Sequence, residues 1–300
     1  MILLRVASVR DLWGLLVEAG TRWVDDQCLR LGAALSYYAI FSLFPLALLS
    51  VTILGFALGD DPGVRAGIVG SMDATGSPAV HALLDETLVN MQQHHTARGV
   101  GAVIGIITLF FGASGVFSEL DNALNLIWRV RATPSTGIWR SILWLVRDKA
   151  ISFLLVIVAS VLVLASLVAS TVLAALGRSA ESIVPAAWLW GPLEFVVSGA
   201  LLAVVLGTMF RLIPRAPVAW RDVYWGAVLT ATLFSIVRKL FAYYLAHVGS
   251  YAAYGAAGAV LGLLTWIYVT SLILFFGAEF TRVYAERFGS RAKLAKPPVG

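Results

Sequence analysis

The chain has 300 residues, of which 59% are hydrophobic and only 13% are charged, and its mean hydropathy is +0.86. A soluble domain of this length carries roughly a quarter charged residues, so the composition excludes a soluble globular protein and predicts a polytopic membrane protein. The net charge of +5 is explained by the Lys and Arg residues that accumulate in the cytoplasmic loops of such a protein. Nucleic-acid binding is not indicated, because the sequence contains no basic run interleaved with aromatic residues.

Six apolar segments are long enough to cross a bilayer, which takes roughly 20 helical residues. The spans are residues 31–58, 99–118, 150–176, 184–210, 218–248 and 251–278. The sequence therefore predicts an all-α protein with one six-helix transmembrane domain over 31–278. A segment over 1–30 precedes this domain, an outer loop over 59–98 follows its first span, and a tail over 279–300 ends the chain.

The positive charges set the predicted orientation. Seventeen of the 22 Lys and Arg residues fall in the two ends of the chain and in the loops after the second and fourth spans, and five fall on the other side. Because basic residues accumulate on the cytoplasmic side, both termini are expected in the cytoplasm.

Three shorter segments have apolar residues at helical spacing, and we expect them to lie on the membrane or to cap the bundle as interfacial helices. Two are predicted cytoplasmic and one lies in the outer loop. Their apolar positions are Leu12, Leu15, Leu16, Ala19 and Trp23; Leu120, Ala123, Leu124 and Ile127; and Val80, Leu83, Leu84, Leu88 and Met91.

The first span contains a helix-breaking residue. Pro45 removes the hydrogen bond to the Phe41 carbonyl and predicts a kink. Tyr38, Ser42 and Pro45 share one helix face. Their hydroxyls either satisfy the freed backbone or line a substrate path, as polar faces of kinked helices do in transporters; both interpretations stay open.

Three charged residues interrupt the later spans. Glu194 lies in the fourth, and Arg238 and Lys239 lie together in the fifth. In the predicted orientation all three fall in the outer half of the membrane. Either the two cations reach the outer lipid headgroups, or Glu194 pairs with Lys239, or less readily with Arg238, at the wall of a polar cavity.

A further polar group marks the predicted inner mouth of the bundle. It consists of Ser114, Glu119, Asp121, Asn125 and Glu279. Helix capping and packing account for such residues in most proteins, and a role as an inner gate is the alternative. Glu279, next to Arg282, is expected to form an ion pair at the membrane boundary.

Several stretches resemble the YihY/BrkB family of bacterial inner-membrane proteins. They are "ALSYYAIFSLFPLALLSVTILGF", "GASGVFSELDNALNLIW", "RKLFAYYL" and "YGAAGAVLGLLTWIYVTSLILFFGAEFTRVYAE", which occur in this order over about residues 25–288. The resemblance implies a six-span fold and a multi-pass protein of the bacterial inner membrane. It also carries the labels of virulence factor, transporter and, historically, ribonuclease BN.

The nuclease label does not fit the residues. The four histidines are His81, His94, His95 and His247, and the predicted topology places them all on the outer side, away from RNA. No phosphate loop and no other catalytic motif is present. Cys28 is the only cysteine, so neither an intramolecular disulfide nor a cysteine metal cluster can form. We expect no enzymatic activity, no metal and no cofactor.

Two functions remain. The first is translocation of a lipid or small polar solute through the bundle, and the second is a non-transporting envelope scaffold that acts through the outer loop and the interfacial helices. A buried charged network open to water favours the first, whereas a tightly packed bundle whose polar surface is confined to the outer loop favours the second. Membrane lipids are the expected partners, nucleic acid is not, and the oligomeric state stays open.

Overall fold

The structure, a computed structural model, describes residues 9–42, 114–130, 187–247 and 255–292. Every regular element in these ranges is an α-helix. The predicted third span (150–176), the outer loop (59–98) with its amphipathic stretch, and Pro45 lie outside the described residues.

The described helices follow the predicted segments closely. Helix α1 covers Val9–Asp25, α2 includes residues 28–42 and α3 includes residues 114–127. Helices α4, α5 and α6 cover Ala187–Leu212, Trp220–His247 and Gly255–Arg287. Helix α6 therefore continues nine residues beyond the predicted end of the sixth span, and Glu279 and Arg282 lie in this continuation.

Two described helices are long and apolar enough to cross a membrane, over Trp220–Leu245 and Val260–Arg287. A shorter apolar helical stretch covers Val196–Leu212. Large apolar side chains such as Val204, Ile236 and Leu240 are exposed on these helices, as expected for surfaces that contact lipid. The six-span count remains a prediction, because the other spans lie partly or wholly outside the described residues.

The chain forms two compact units, and the first contains residues 1–32, 120–240 and 270–300. In this unit part of the predicted N-terminal stripe is buried against α6, whereas Leu12 is exposed. Leu15 and Ala19 of α1 are fully buried with Phe280, Val283 and Tyr284 of α6. The indole nitrogen of Trp23 also donates a hydrogen bond to the Leu272 carbonyl, at 3.2 Å. Helix α1 is thus part of the core of this unit, because Leu15 and Ala19 on its apolar face pack against α6 and are shielded from solvent.

Helices α5 and α6 approach each other closely through a reciprocal pair of contacts. A Cβ atom on Gly226 would overlap the Thr281 hydroxyl, and one on Gly277 would overlap the Thr230 hydroxyl. Each threonine donates to the carbonyl of the glycine one turn earlier on its own helix, Thr230 to Gly226 at 2.6 Å and Thr281 to Gly277 at 2.7 Å. The hydroxyls are thereby satisfied inside an apolar interface, and the small residues let the two backbones come together.

Two non-glycine residues with positive φ end helices in the first unit. Gln27 (φ 55°) follows α1, and Arg129 (φ 50°) follows α3. After α3, the Val130 amide donates to the Asn125 carbonyl at 2.9 Å, which is the hydrogen bond of a Schellman motif. Gln27 directly follows Asp26, whose carboxylate accepts from Arg129 and from Arg282.

The second unit contains residues 33–119 and 241–269. Within it, the Tyr38 ring of α2 packs so closely on Gly115 of α3 that a Cβ atom there would lie 2.7 Å from the ring. Phe241 of α5 contacts Trp266 of α6, with ring centroids 5.0 Å apart. Aromatic residues therefore hold the described helices of this unit together.

Candidate functional site

The polar centre of the first unit is Arg282, whose side chain is only 7% exposed. Its Nη1 donates to the Ile127 carbonyl at 2.7 Å and to Asp26 Oδ2 at 3.3 Å. Its Nε donates to Glu286 Oε1 at 3.0 Å. One guanidinium from α6 thus joins the end of α3, the turn after α1 and the next turn of its own helix. We call Arg282, Asp26, Glu279 and Glu286 the Arg282 cluster.

A second arginine extends this cluster along α1. Arg22 donates to Glu286 Oε2 and to Glu18 Oε1, both at 2.6 Å. Glu18 also pairs with Arg287. Burial by itself lowers the pKa of Arg22, but the hydrogen bonds and charges of Glu286 and Glu18 raise it on balance. The guanidinium therefore stays charged and connects α1 to α6.

Glu279 is the exception within the cluster. It is 0% exposed, and neither of its carboxyl oxygens has a hydrogen-bond partner among the described residues. The nearest cationic atom is Arg282 Nη1, 3.6 Å from Oε2, and that nitrogen already donates to Asp26 and to the Ile127 carbonyl. Burying an ionised carboxylate without a donor is strongly unfavourable, so the state of this group requires an explanation.

Cys28 lies in the same electrostatic environment. Burial raises the pKa of its thiol to about 12, and the nearby carboxyl groups of Glu279 and Asp26 add to this effect. The thiol is free and fully buried. Because the thiolate is the nucleophilic form, Cys28 is unreactive at neutral pH.

A charged cleft of about 890 Å³ lies beside the Arg282 cluster. Asp26 belongs to both, since its side chain is 10% exposed and lines the cleft while accepting from Arg282. Arg129 also pairs with Asp26, at 3.1 Å, with 62% of its side chain exposed. The residues that line the cleft are Asp25, Asp26, Gln27, Arg30, Asp121, Asn122, Asn125, Leu126, Arg129, Val130 and Arg215.

The far side of the cleft is held by Asp121 and Asn125, two of the predicted inner-mouth residues. Asn125 Nδ2 donates to Asp121 Oδ1 at 2.8 Å. Arg215, in the loop after α4, donates its side chain to Asp121 at 3.2 Å and its backbone amide to Asn125 Oδ1 at 3.0 Å. These bonds therefore attach the α4–α5 loop to α3.

The end of α6 is attached to the start of α5 by a further buried carboxylate. Asp222 Oδ2 accepts from the Ser290 amide at 3.1 Å and from its hydroxyl at 2.5 Å. Residues from all four predicted cytoplasmic stretches consequently contact one another within the first unit.

The residues predicted to form an outer polar site are only partly described. Glu194 lies in α4, but its side chain is outside the described residues, so its pairing with Lys239 stays a prediction. Arg238 and Lys239 both lie on α5 and are exposed. Lys239 is 19 residues into α5, or about 29 Å from its start at 1.5 Å per residue.

The first-span residues lie in the second unit. Tyr38 contacts Gly115, as described above, and the Ser42 hydroxyl donates to the Ala39 carbonyl at 2.8 Å. Ser42 thus bonds its own helix three residues back. Ser114 and Glu119, also in this unit, lie on α3 and are half-buried.

Sequence reasoning predicted Glu279 and its neighbour Arg282 but missed the other charged residues of the network around them. Asp26, Arg22 and Glu286 carried no functional hypothesis, although the spacing Glu18–Arg22 and Arg282–Glu286 is the i, i+4 pattern of helical ion pairs. That pattern was available from the sequence. The contact of the turn at Asp26 with α6, over a separation of 256 residues, was not.

The described helices and the polar cluster at their ends define an α-helical integral membrane protein. The sequence profile of the family described as Virulence factor BrkB matches residues 19–299, and the chain belongs to this family. Similar curated proteins are named UPF0761 membrane protein. One from Alteromonas mediterranea is 27% identical over 95% of this chain and 91% of its own length. One from Vibrio vulnificus is 27% identical over 84% of this chain and 76% of its own length. A third, from Aliivibrio salmonicida, is 27% identical over 93% of this chain and 86% of its own length.

No solved structure matches the chain. The names of these relatives state a membrane location and no activity.

Proposed function

We propose that the protein translocates a lipid or a small polar solute across the bacterial inner membrane, with both termini in the cytoplasm. The observation that carries this proposal is the charged cleft of about 890 Å³ in contact with a buried ion-pair cluster. The proposal includes no catalytic step.

The physical argument rests on the energetics of buried charge. Ionisable groups are costly to bury in a membrane protein, and they are found mainly where they form substrate or ion pathways. Arg282 and Glu279 are buried at the end of an apolar helix, and Asp26 connects them to the cleft. A scaffold that acts through its outer loop has no need of such an arrangement.

The cleft supplies both signs of charge to a ligand. Asp25 and Asp121 line it together with Arg30, Arg129 and Arg215. A phospholipid headgroup or a zwitterionic solute fits this mixture better than a simple anion or cation does. In the proposed orientation the cleft is the cytoplasmic entrance, and Arg238 and Lys239, about 30 Å further along, belong to the exit.

The test combines ligand identification with a transport assay. Native mass spectrometry of the purified protein identifies any lipid or solute that it retains. The transport assay uses liposomes of phosphatidylethanolamine and phosphatidylglycerol that carry a fluorescent phospholipid in both leaflets. An external quencher removes the fluorescence of the outer leaflet, which is about half of the total. Translocation is reported by any further loss of fluorescence, because it brings inner-leaflet lipid to the quencher. Solid-supported membrane currents test polar solutes in the same preparation.

We expect retained ligand and translocation above the level of protein-free liposomes. The scaffold function would be supported instead if liposomes with the protein moved lipids and solutes no faster than protein-free liposomes and an envelope protein co-purified with the chain.

A further inference from the structure

Glu279 is a buried acid placed where only its protonated form is well accommodated. It is fully buried, and within the described part of the chain no donor reaches either oxygen. Arg282, the nearest cation, directs Nη1 to Asp26 and the Ile127 carbonyl and Nε to Glu286. Both protons of Nη1, the nitrogen nearest Glu279, and the proton of Nε therefore serve other acceptors, and the 3.6 Å contact with Glu279 carries no hydrogen bond.

The charged groups around Glu279 come from several elements. Asp26, in the turn after α1, is its closest acidic neighbour and lies within hydrogen-bonding reach if one of the two carboxyl groups carries a proton. Arg22 of α1 and Arg282 of α6 are the cations that act on it. Cys28 of α2 contributes a neutral thiol, and α3 contributes the Ile127 carbonyl through Arg282. Two ionised carboxylates can only accept hydrogen bonds, so a shared proton is what turns this contact into a favourable one.

We propose that Glu279 is a proton-binding site, whose hydroxyl donates to the Asp26 carboxylate, and that this proton is the coupling ion of transport. The coupling role rests on the proposed function, whereas the proton site does not. Asp26 lines the charged cleft and connects the buried acid to water.

Release of the proton has a structural consequence. The proton passes from Glu279 to Asp26 and then to water in the cleft, and it leaves a second negative charge beside Arg282. Nη1 of Arg282 then moves toward Glu279 and away from the Ile127 carbonyl or Asp26. Those two contacts hold the end of α3 and the turn after α1 against α6, so deprotonation loosens this end of the bundle and opens the cleft.

The proton is measured directly by infrared spectroscopy of the purified full-length protein in detergent. We expect a carbonyl stretching band of a protonated carboxylic acid at neutral pH that shifts in D₂O and disappears on alkalinisation. Glu279→Gln preserves the size and neutral charge of the proposed form, so it should fold with an unchanged melting temperature and lack the band. Asp26→Asn, which removes the second acid and frees Arg282 to pair with Glu279, should also lose it.

Glu286→Gln is the matched control, because this carboxylate lies one turn beyond Arg282 and accepts from both Arg282 and Arg22. It should keep the band. Absence of a D₂O-sensitive band from the wild-type protein would overturn the proton site without the use of any variant. Persistence of the band in Glu279→Gln would overturn the assignment, and its persistence in Asp26→Asn would overturn the sharing with Asp26.

Transport measurements separate this proposal from the proposed function. If the band depends on Glu279 but the reconstituted protein moves no lipid or solute, the proton site stands and the transport function fails. If transport occurs and neither a pH gradient nor Glu279→Gln changes its rate, the coupling role fails. We expect at least a tenfold loss of gradient-driven transport in Glu279→Gln, with exchange in the absence of a gradient retained.

Discussion

At the scale of single residues, the two arginines that pair with Asp26 are in very different environments. The side chain of Arg282 is 7% exposed and donates to three acceptors, whereas that of Arg129 is 62% exposed and donates to one. A charge inside the core has lost its hydration and depends on its partners, while an exposed one keeps most of its water.

Arg282→Met is therefore expected to be strongly destabilising, by about 3–5 kcal/mol, because it removes the buried donor shared by Asp26, Glu286 and the Ile127 carbonyl. Arg129→Met removes an ion pair from the same Asp26 and should cost less than about 1 kcal/mol. Thermal unfolding of both variants in the same detergent checks this. Equal losses would mean that burial does not decide the strength of these pairs.

Cys28 provides an internal reporter of the Arg282 cluster. Its pKa of about 12 and its full burial predict very slow alkylation by iodoacetamide at neutral pH. Since the thiolate reacts, the rate should rise roughly tenfold per pH unit below the pKa for as long as the fold persists. Arg282→Met should speed the reaction at constant pH, and mass spectrometry of the intact protein measures it. Rapid alkylation of the folded wild type would contradict the buried placement of this thiol.

At the scale of elements, the α5–α6 interface depends on two glycines that face two threonines. Gly226 and Gly277 leave no room for a methyl group, because the hydroxyls of Thr281 and Thr230 occupy the space. The close approach lies near the charged end of α6, where its backbone supports the Arg282 cluster.

Gly226→Ala and Gly277→Ala should each destabilise the protein by about 1–3 kcal/mol through overpacking, although alanine is the better helix former. Gly20→Ala is the control, since nothing lies within 4 Å of a Cβ atom at this position of α1. It should be neutral or slightly stabilising. Melting temperatures compare the three variants, and a stabilised Gly226→Ala would show that α5 and α6 are further apart than described.

At the scale of the whole molecule, transport requires groups at both ends of the bundle. Lys239→Met should abolish activity while leaving folding intact, because it removes a cation from the proposed exit. Glu194→Gln should share the defect, and the double variant should lose no more than either single one if the two residues act as a unit. Full activity in both single variants would remove this pair from the mechanism.

The orientation makes a separate prediction. With 17 of 22 basic residues in the predicted cytoplasmic stretches, both ends of the chain should face the cytoplasm. A fluorescent-protein fusion at residue 300 should be bright, and an alkaline phosphatase fusion at the same position should be inactive. An active phosphatase fusion would place the charged cleft on the periplasmic side.

The sequence by itself determined the class of protein, the family and the course of the described helices. Apolar length and helical spacing are local properties, so they placed α4, α5 and α6 to within a few residues, except where α6 continues beyond the predicted end of the sixth span. The stripes of α1 and α3 were likewise visible as apolar spacing, and Leu15, Ala19, Leu124 and Ile127 are indeed fully buried.

Only the tertiary structure decided which charges meet. Glu279 was expected as one half of an ion pair at a boundary, and its Oε2 does lie 3.6 Å from Arg282 Nη1. The acid is also fully buried near Asp26, and that nitrogen donates to Asp26 and to the Ile127 carbonyl. Spacing along one helix brings Arg282 to Glu286, but the approach of Asp26 depends on the left-handed turn at Gln27 and on the packing of α1 against α6. Protonation depends on burial and on neighbours distant in sequence, and these are consequences of how the helices pack.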